Sequence, residues 1–306
     1  MPSIVQFAHP GAEHGPNEKN GNWKTWNTIA HRRKFLRCKG RYINSDESKQ
    51  DGQLMFWGEW EPPSKVSEFR ERPTQLHPRW LHEPVLPVKL PQSGGQQGNY
   101  QNTDPFVFGD RFIYFVCKQY IRKTDRTTSL AKLDKGSLIL FGSTHGNSEP
   151  EAYFQLDTVF VVRDFIDYDV SDPQALLGIP GLETYRQIVY KMAFPSPAPK
   201  PIHLRLYYGA TPESPISGMY SYSPAKVWDN GQHGFPRAPL SNRTFMTNNL
   251  NASPRSTKVS NEVVIDYWKS IRKTTRDAGL VEGYGFQYQS GSSIQTVLPT
   301  GDHLPA

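Results

Sequence analysis

Cysteine is almost missing from this chain: Cys38 and Cys117 stand alone among 306 residues. Two thiols with no CxxC pair supply neither a disulfide framework nor the common zinc spacing, and they fit a reducing compartment, so a cytoplasmic location is expected. Long apolar runs are lacking as well. The opening stretch MPSIVQFAHPGAEH has no basic segment followed by an apolar core, and no run elsewhere approaches the ~20 residues that cross a bilayer, so no membrane partner is expected. Three phosphate or nucleophile motifs are also missing. Without GxSxG, GxxxxGK[ST] or a GxGxxG that opens a helix, serine hydrolases, P-loop enzymes and dinucleotide-binding dehydrogenases lose their signatures, and no cofactor is implied. Long helical bundles are disfavoured by 24 Gly and 26 Pro.

What the chain does contain is aromatic residues and positive charge. Sixteen Phe, 15 Tyr and seven Trp fill a core or stack on flat ligands, and a formal charge of +6 with a pI near 9.1 makes a polyanion such as DNA an electrostatically suitable partner. Short apolar pieces at Ile4 to Phe7, Leu54 to Trp57 and Val85 to Val88 read as strands joined by long loops. FVFGDRFIYFVC (Phe106 to Cys117), KGSLILFGS and YFQLDTVFVV have strand composition. The stretch PQSGGQQGNYQ (Pro91 to Gln101) reads as a linker, and residues Pro212 to Pro254 as loop-rich. Leu182, Tyr185, Ile188, Val189 and Met192 fall at helical spacing, stopped by PSPAPKP (Pro195 to Pro201). A second helix is predicted over 260–278, with Ser260 as N-cap, Glu262 in the first turn, Gly279 just past the end and Val264, Tyr267, Trp268 and Ile271 as its apolar stripe. The fold class expected is α+β: a mixed β-sheet or small barrel core, a few helices and many loops, in one domain over 1–306. No pattern fixes the oligomeric state.

Five places carry candidate chemistry. In QNTDPFVFGDRF, Asp104 precedes a proline, which favours an extended backbone; its carboxylate either caps nearby amides or acts on a substrate, with Asn102 beside it, Gln101 as a reader of a polar edge and Phe106 as a stacking ring. FAHPGAEHGP offers His9, Glu13 and His14, a loop that suits a polar pocket; zinc is disfavoured because the flanking Pro and Gly prevent the helix that aligns HExxH ligands. FWGEWEPPS places Trp57 and Trp60 beside Glu59 and Glu61, a pattern that either cages a base or sets a core ring beside a surface acid. HRRKFLRCKGR, with Arg32, Arg33 and Lys34, interleaves cations with apolar residues as a nucleic-acid groove does. Lys269, Arg272, Lys273 and Arg276 share one face of the C-terminal helix, as a phosphate-contacting ridge or as a solvated face favoured by the helix dipole.

The order short helix, KGSLILFGS, FQLDTVFVV over Ser129 to Val162 resembles PUA-like domains of the EVE and YTH type, which implies a PUA-like subdomain at 102–170 holding a modified base. HPGAEH, HRRKF, FWGEWEPPS and NTDPFVFGDRF are together similar to bacterial nucleotide-modification-associated and phage-defence proteins, a group that includes DNA glycosylases removing glucosylated hydroxymethylcytosine. Asp104-Pro105-Phe106 also resembles the water-activating motif of uracil-DNA glycosylases, without the Gly, Gln and His that flank it there. Two functions follow. One is a glycosylase that flips a modified base out of phage DNA and cleaves its N-glycosidic bond, Asp104 and Asn102 being catalytic; the other is a non-catalytic reader holding the modified base in the same aromatic pocket.

Overall fold

The computed structural model describes residues 1–9, 11–15, 26–27, 32–68, 77–86, 100–121, 123–124, 126–145, 153–172, 176, 184, 186–194, 201–230, 234–240, 244–245 and 254–290. These build an α+β architecture dominated by sheet. Its strands are β1 (Ser3–Ala8), β2 (Lys34–Ile43), β3 (Lys49–Gly58), β4 (Ser64–Glu68), β5 (Trp80–Leu86), β6 (Ile113–Tyr114), β7 (Tyr120–Ile121), β8 (Arg126–Thr127), β9 (Leu138–His145), β10 (Tyr153–Asp169), β11 (His203–Gly209), β12 (Ser223–Val227), β13 (Ala238–Leu240), β14 (Arg255–Lys258), β15 (Val281–Tyr284) and β16 (Gln289–Ser290). The long helix α1 covers Asn261–Asp277. Among the described residues no helix is long and apolar enough to cross a membrane.

The first sheet runs β14-β1-β9-β10-β11-β6, with β13 also on β10. Its centre is apolar because β1, β9 and the first half of β10 are covered on both faces, which is why SIVQF, LILF and TVFVV read as near-continuous hydrophobic runs. The second sheet runs β15-β12-β3-β2-β5-β16, with β4 on β5. There β15 also pairs with β2, through Glu282↔Ile43, Gly283↔Tyr42 and Tyr284↔Arg41, so β2, β3, β12 and β15 close into a ring. The two sheets meet at a backbone bridge in which Val159 and Tyr222 exchange both amide hydrogen bonds, at 2.8 and 2.9 Å.

The hydrophobic core is continuous through both sheets and rich in rings. Phe56 stacks on Phe286 with centroids 3.9 Å apart, and Tyr114 on Tyr207 at 5.7 Å. Each fully buried ring of this size contributes about 1.5–3 kcal/mol relative to exposure, so this cluster supplies much of the drive to fold.

Several elements differ from the sequence reading. Phe106 to Cys117 is mostly not strand: only Ile113–Tyr114 is laddered, with single bridges at Phe106 and Phe108, because Gly109 turns at φ 89° and Lys118 at φ 58°. The helix expected over Leu182 to Met192 winds as a π-turn at Arg186–Tyr190, followed by Lys191–Ala193; Leu182 and Tyr185 lie outside the described residues, as do 91–99 and 195–200 of the Pro/Gly-rich segments. The loop-rich stretch after Pro212 contains β12 and β13. Residues 129–162 supply a 3₁₀ turn, β9 and part of β10, all within or beside the first sheet.

Helix α1 follows its sequence signals. Ser260 accepts a hydrogen bond from the Val263 amide at 3.3 Å, Glu262 occupies the first turn, Gly279 takes φ 70° after the last turn, and Val264, Tyr267, Trp268 and Ile271 are buried. A carboxylate clamps its other face. Glu282 of β15, fully buried, receives Arg272 Nε at 2.9 Å, Arg276 Nε at 2.8 Å and the Tyr220 hydroxyl, while Glu47 takes Arg272 Nη2 and Arg276 Nη1, each at 2.8 Å. Deleting one partner of such a buried cluster leaves uncompensated charge in a dry site. Glu282→Ala is therefore expected to lower unfolding free energy by about 3 kcal/mol, measured by urea denaturation, and a loss below about 1 kcal/mol would show that the clamp is not holding the helix.

Candidate functional site

Charged side chains from six distant segments meet in the dry space between the sheets. The organising residue is Asp157, which sits at a register shift in β10: Leu156 pairs with Gly142 and Thr158 with Phe141, leaving Asp157 as the extra residue of a bulge. A bulge re-aims one side chain, and here it turns a carboxylate into an otherwise apolar strand centre. Gly142 opposite is required by the same geometry, since a Cβ there would lie 2.1 Å from the Gln155 carbonyl oxygen.

Asp157 holds two guanidiniums, with Arg33 Nε at 2.7 Å from one oxygen and Arg237 Nε at 3.0 Å from the other. Arg237 lies over the Trp57 ring at 4.3 Å and donates to Ser143 Oγ at 2.7 Å and to the Gly11 carbonyl at 3.0 Å. Arg33 is 1% exposed and reaches Glu59, which also contacts His9 Nδ1. The second Glu59 oxygen accepts the Asp104 amide at 3.3 Å. Burial disfavours the Arg33 charge, but Glu59 and Asp157 outweigh it and raise its pKa; burial raises Asp157 and lowers Arg237, in each case against the pull of the partner.

Asp104 is wholly buried, and its role is visible in its partners. Oδ1 accepts the Phe115 amide at 2.9 Å, and Oδ2 accepts the amides of Val116 and Cys117, each at 2.7 Å. This is capping of a tight turn, the first of the two uses that its position before Pro105 allows. Burial raises its pKa to about 7; the three amides work the other way, and nearby Glu59 adds to the rise. Asn102 is half-buried at the rim, its Nδ2 3.6 Å from Cys117 Sγ, a thiol that burial keeps protonated.

His9, Glu59, Asn102 and Asp104 are thus brought together, with Trp57 joined through Arg237. The other residues singled out from sequence are placed differently. Glu13 accepts the amides of Arg79 at 2.6 Å and Trp80 at 2.9 Å, and His14 stacks on His82 at 6.3 Å, its pKa lowered to about 3 by burial and by Lys34 and Arg32. His9, Glu13 and His14 therefore diverge. The Gln101 backbone carbonyl accepts the Trp26 indole at 2.8 Å. Trp60 and Phe106 pack around Phe108, at 4.7 and 5.6 Å between ring centroids, within the core.

Two of the cations, Arg33 and Lys34, need a correction. Arg32 is exposed, but Arg33 and Lys34 are buried and cannot meet backbone phosphates at the surface: Arg33 is held by Asp157 and Glu59, and Lys34 lies 3.5 Å from the Pro62 carbonyl, its pKa lowered by burial to about 8. On α1, Arg272 and Arg276 are engaged by Glu282 and Glu47, Lys273 by Asp277 at 2.6 Å and Lys269 by Asp266 at 3.8 Å, so the ridge is matched charge for charge.

Sequence reasoning missed Asp157 and Arg237. An aspartate inside YFQLDTVFVV breaks an apolar run and was a usable signal; nothing local marks Arg237. No protein-family model, curated protein or solved structure matches the chain.

Both Asp104 oxygens are engaged, so Asp104→Asn keeps one acceptor and turns an NH₂ toward backbone donors. A stability loss of about 1–3 kcal/mol at pH 8 is expected. Because the folded pKa is raised, the wild type holds the proton longer than the unfolded chain and loses stability as pH rises from about 4 to about 7. That decline should be absent from Asp104→Asn in urea titrations across this range; an identical decline would assign it to another group.

Proposed function

We propose that this protein acts on modified bases in DNA as a glycosylase, with Glu59 rather than Asp104 as the carboxylate of the reaction. The observation that carries the reading is the convergence of Glu59, His9, Arg33, Asp157 and Arg237, drawn from segments far apart in the chain, into one water-poor cluster rimmed by Asn102. Buried charges that converge in this way come at a desolvation cost and cluster at functional sites. Cleavage of an N-glycosidic bond sends the bonding pair to the departing base and leaves an oxocarbenium-like sugar. A carboxylate held by Arg33 and His9 is suited to oppose that positive charge. Water then adds at the sugar carbon, and its proton goes to the base. In this reading Asn102 meets a polar edge of the substrate, and Asp104 braces the turn at 115–117 beside it.

A reader without chemistry is favoured by one observation, the complete engagement of Asp104 by three backbone amides, which removes the carboxylate first in line for hydrolysis. Incubation with DNA carrying glucosylated hydroxymethylcytosine and with unmodified DNA, followed by mass spectrometry for free base, separates the two. The glycosylase reading expects release from the modified DNA and a fall of roughly 100-fold or more in Glu59→Gln at equal DNA occupancy. Equal rates would remove Glu59 from the mechanism. Binding with no release by the wild type would leave the reader.

A further inference from the structure

A fork in the second sheet opens a groove of about 620 Å³ beside β2. Strands β2 and β5 are paired in parallel only at Phe35↔Leu81 and Leu36↔His82. Beyond that they part. The edge of β5 is taken instead by β16, at Gln289↔Val85, and the Gln287 amide donates to the Lys39 carbonyl at 2.9 Å, so backbone lines the floor of the fork and fixes its width.

The walls carry three cations, Arg37, Lys39 and Lys65, against one carboxylate, Glu83, together with the rings of Trp228 and Tyr288. Arg37 lies over the Trp228 ring at 4.6 Å and contacts Glu83, which Lys65 approaches at 3.8 Å. Lys39 and Lys65 are exposed, Trp228 and Tyr288 half-buried. A guanidinium laid on an indole makes a flat, cationic platform. Such a platform stacks with a nucleobase, flanking ammonium groups meet phosphates, and a carboxylate or glutamine amide accepts a base amino group. Acidic peptide chemistry uses the cations but leaves the platform without a partner.

We propose that this groove binds a single strand of nucleic acid, with Lys39 and Lys65 on the backbone and the Arg37–Trp228 pair under a base. It extends the DNA reading above by naming the strand-holding surface, but it requires no bond cleavage and does not depend on Glu59. The test uses fluorescence anisotropy with a labelled, unmodified oligothymidylate of about ten nucleotides, a length within the site size of comparable folds. The charge-reversed Lys39→Glu/Lys65→Glu protein should bind at least tenfold more weakly and lose about 1.4 from the slope of log affinity against log salt, the share of two phosphates on single strands. Trp228→Leu should weaken binding roughly tenfold and leave that slope unchanged. Should Trp228→Leu fail to fold, the lysine pair, both exposed, carries the test alone. No binding by the wild type, wild-type binding by the lysine variant, or equal affinity for a polyglutamate of matching charge would overturn the proposal. Base release is scored on modified DNA and groove binding on the unmodified oligothymidylate, so failure of base release and failure of the groove are read separately.

Discussion

One carboxylate between two guanidiniums holds the interior together. Asp157 comes from the first sheet, Arg33 is the residue that leads into β2 of the second, and Arg237 comes from the segment leading into β13, so their contact ties the sheets where the core is least apolar. Three ionised groups removed from water cost several kcal/mol each before their mutual attraction is counted. Each charge has a counter-charge within 3 Å, as an ion pair rather than a hydrogen bond at the Nε atoms, and Ser143 and the Gly11 carbonyl take further donors of Arg237. Specificity follows as well: only the register that places the bulge at Asp157 brings the carboxylate to both arginines, and a slip by one residue turns it to the opposite face.

Strand β2 links this interior to the groove. Arg33, the residue just before it, enters the cluster, and from there Arg37 and Lys39 stand on the groove, roughly 13 Å and more along a strand rising 3.3 Å per residue. Charges along the way are fixed: His14 and His82 are kept neutral by burial, so no imidazolium competes with the arginines for an anion, and the Cys38 thiol is pushed up to about 12, so no thiolate competes for the arginines themselves.

The apolar strands and the capped helix were legible because each shows its period or its caps within a few residues: SIVQF, LILF and TVFVV as buried runs, Ser260 and Gly279 as the ends of α1. Strand β2 was harder. In KFLRCKGRYI the alternation of burial is real, with Leu36, Cys38 and Gly40 inward and Arg37, Lys39 and Arg41 outward, but the density of cations masked it as a basic surface cluster. Strand β12 was hidden by its Pro and Ser, tolerated because the ring of four strands supplies its partners. The site was legible in parts. His9, Glu59 and Asp104 were singled out by type, whereas their meeting, and the participation of Arg237, depends on pairings across most of the chain that no local pattern encodes.

The ring of β2, β3, β12 and β15 has a kinetic side. Its first hairpin leaves the ribosome early, while the two strands that complete it lie beyond residue 222, so the outer edges of β2 and β3 wait unpaired through the synthesis of the whole first-sheet centre. Closure over such sequence separation is slow, because the loop entropy is lost before the contacts form. During that wait the cations of β2 repel one another and any second copy of the hairpin. The same Arg37, Lys39 and Arg41 that face outward in the finished ring thus guard the nascent edge against pairing with the wrong strand.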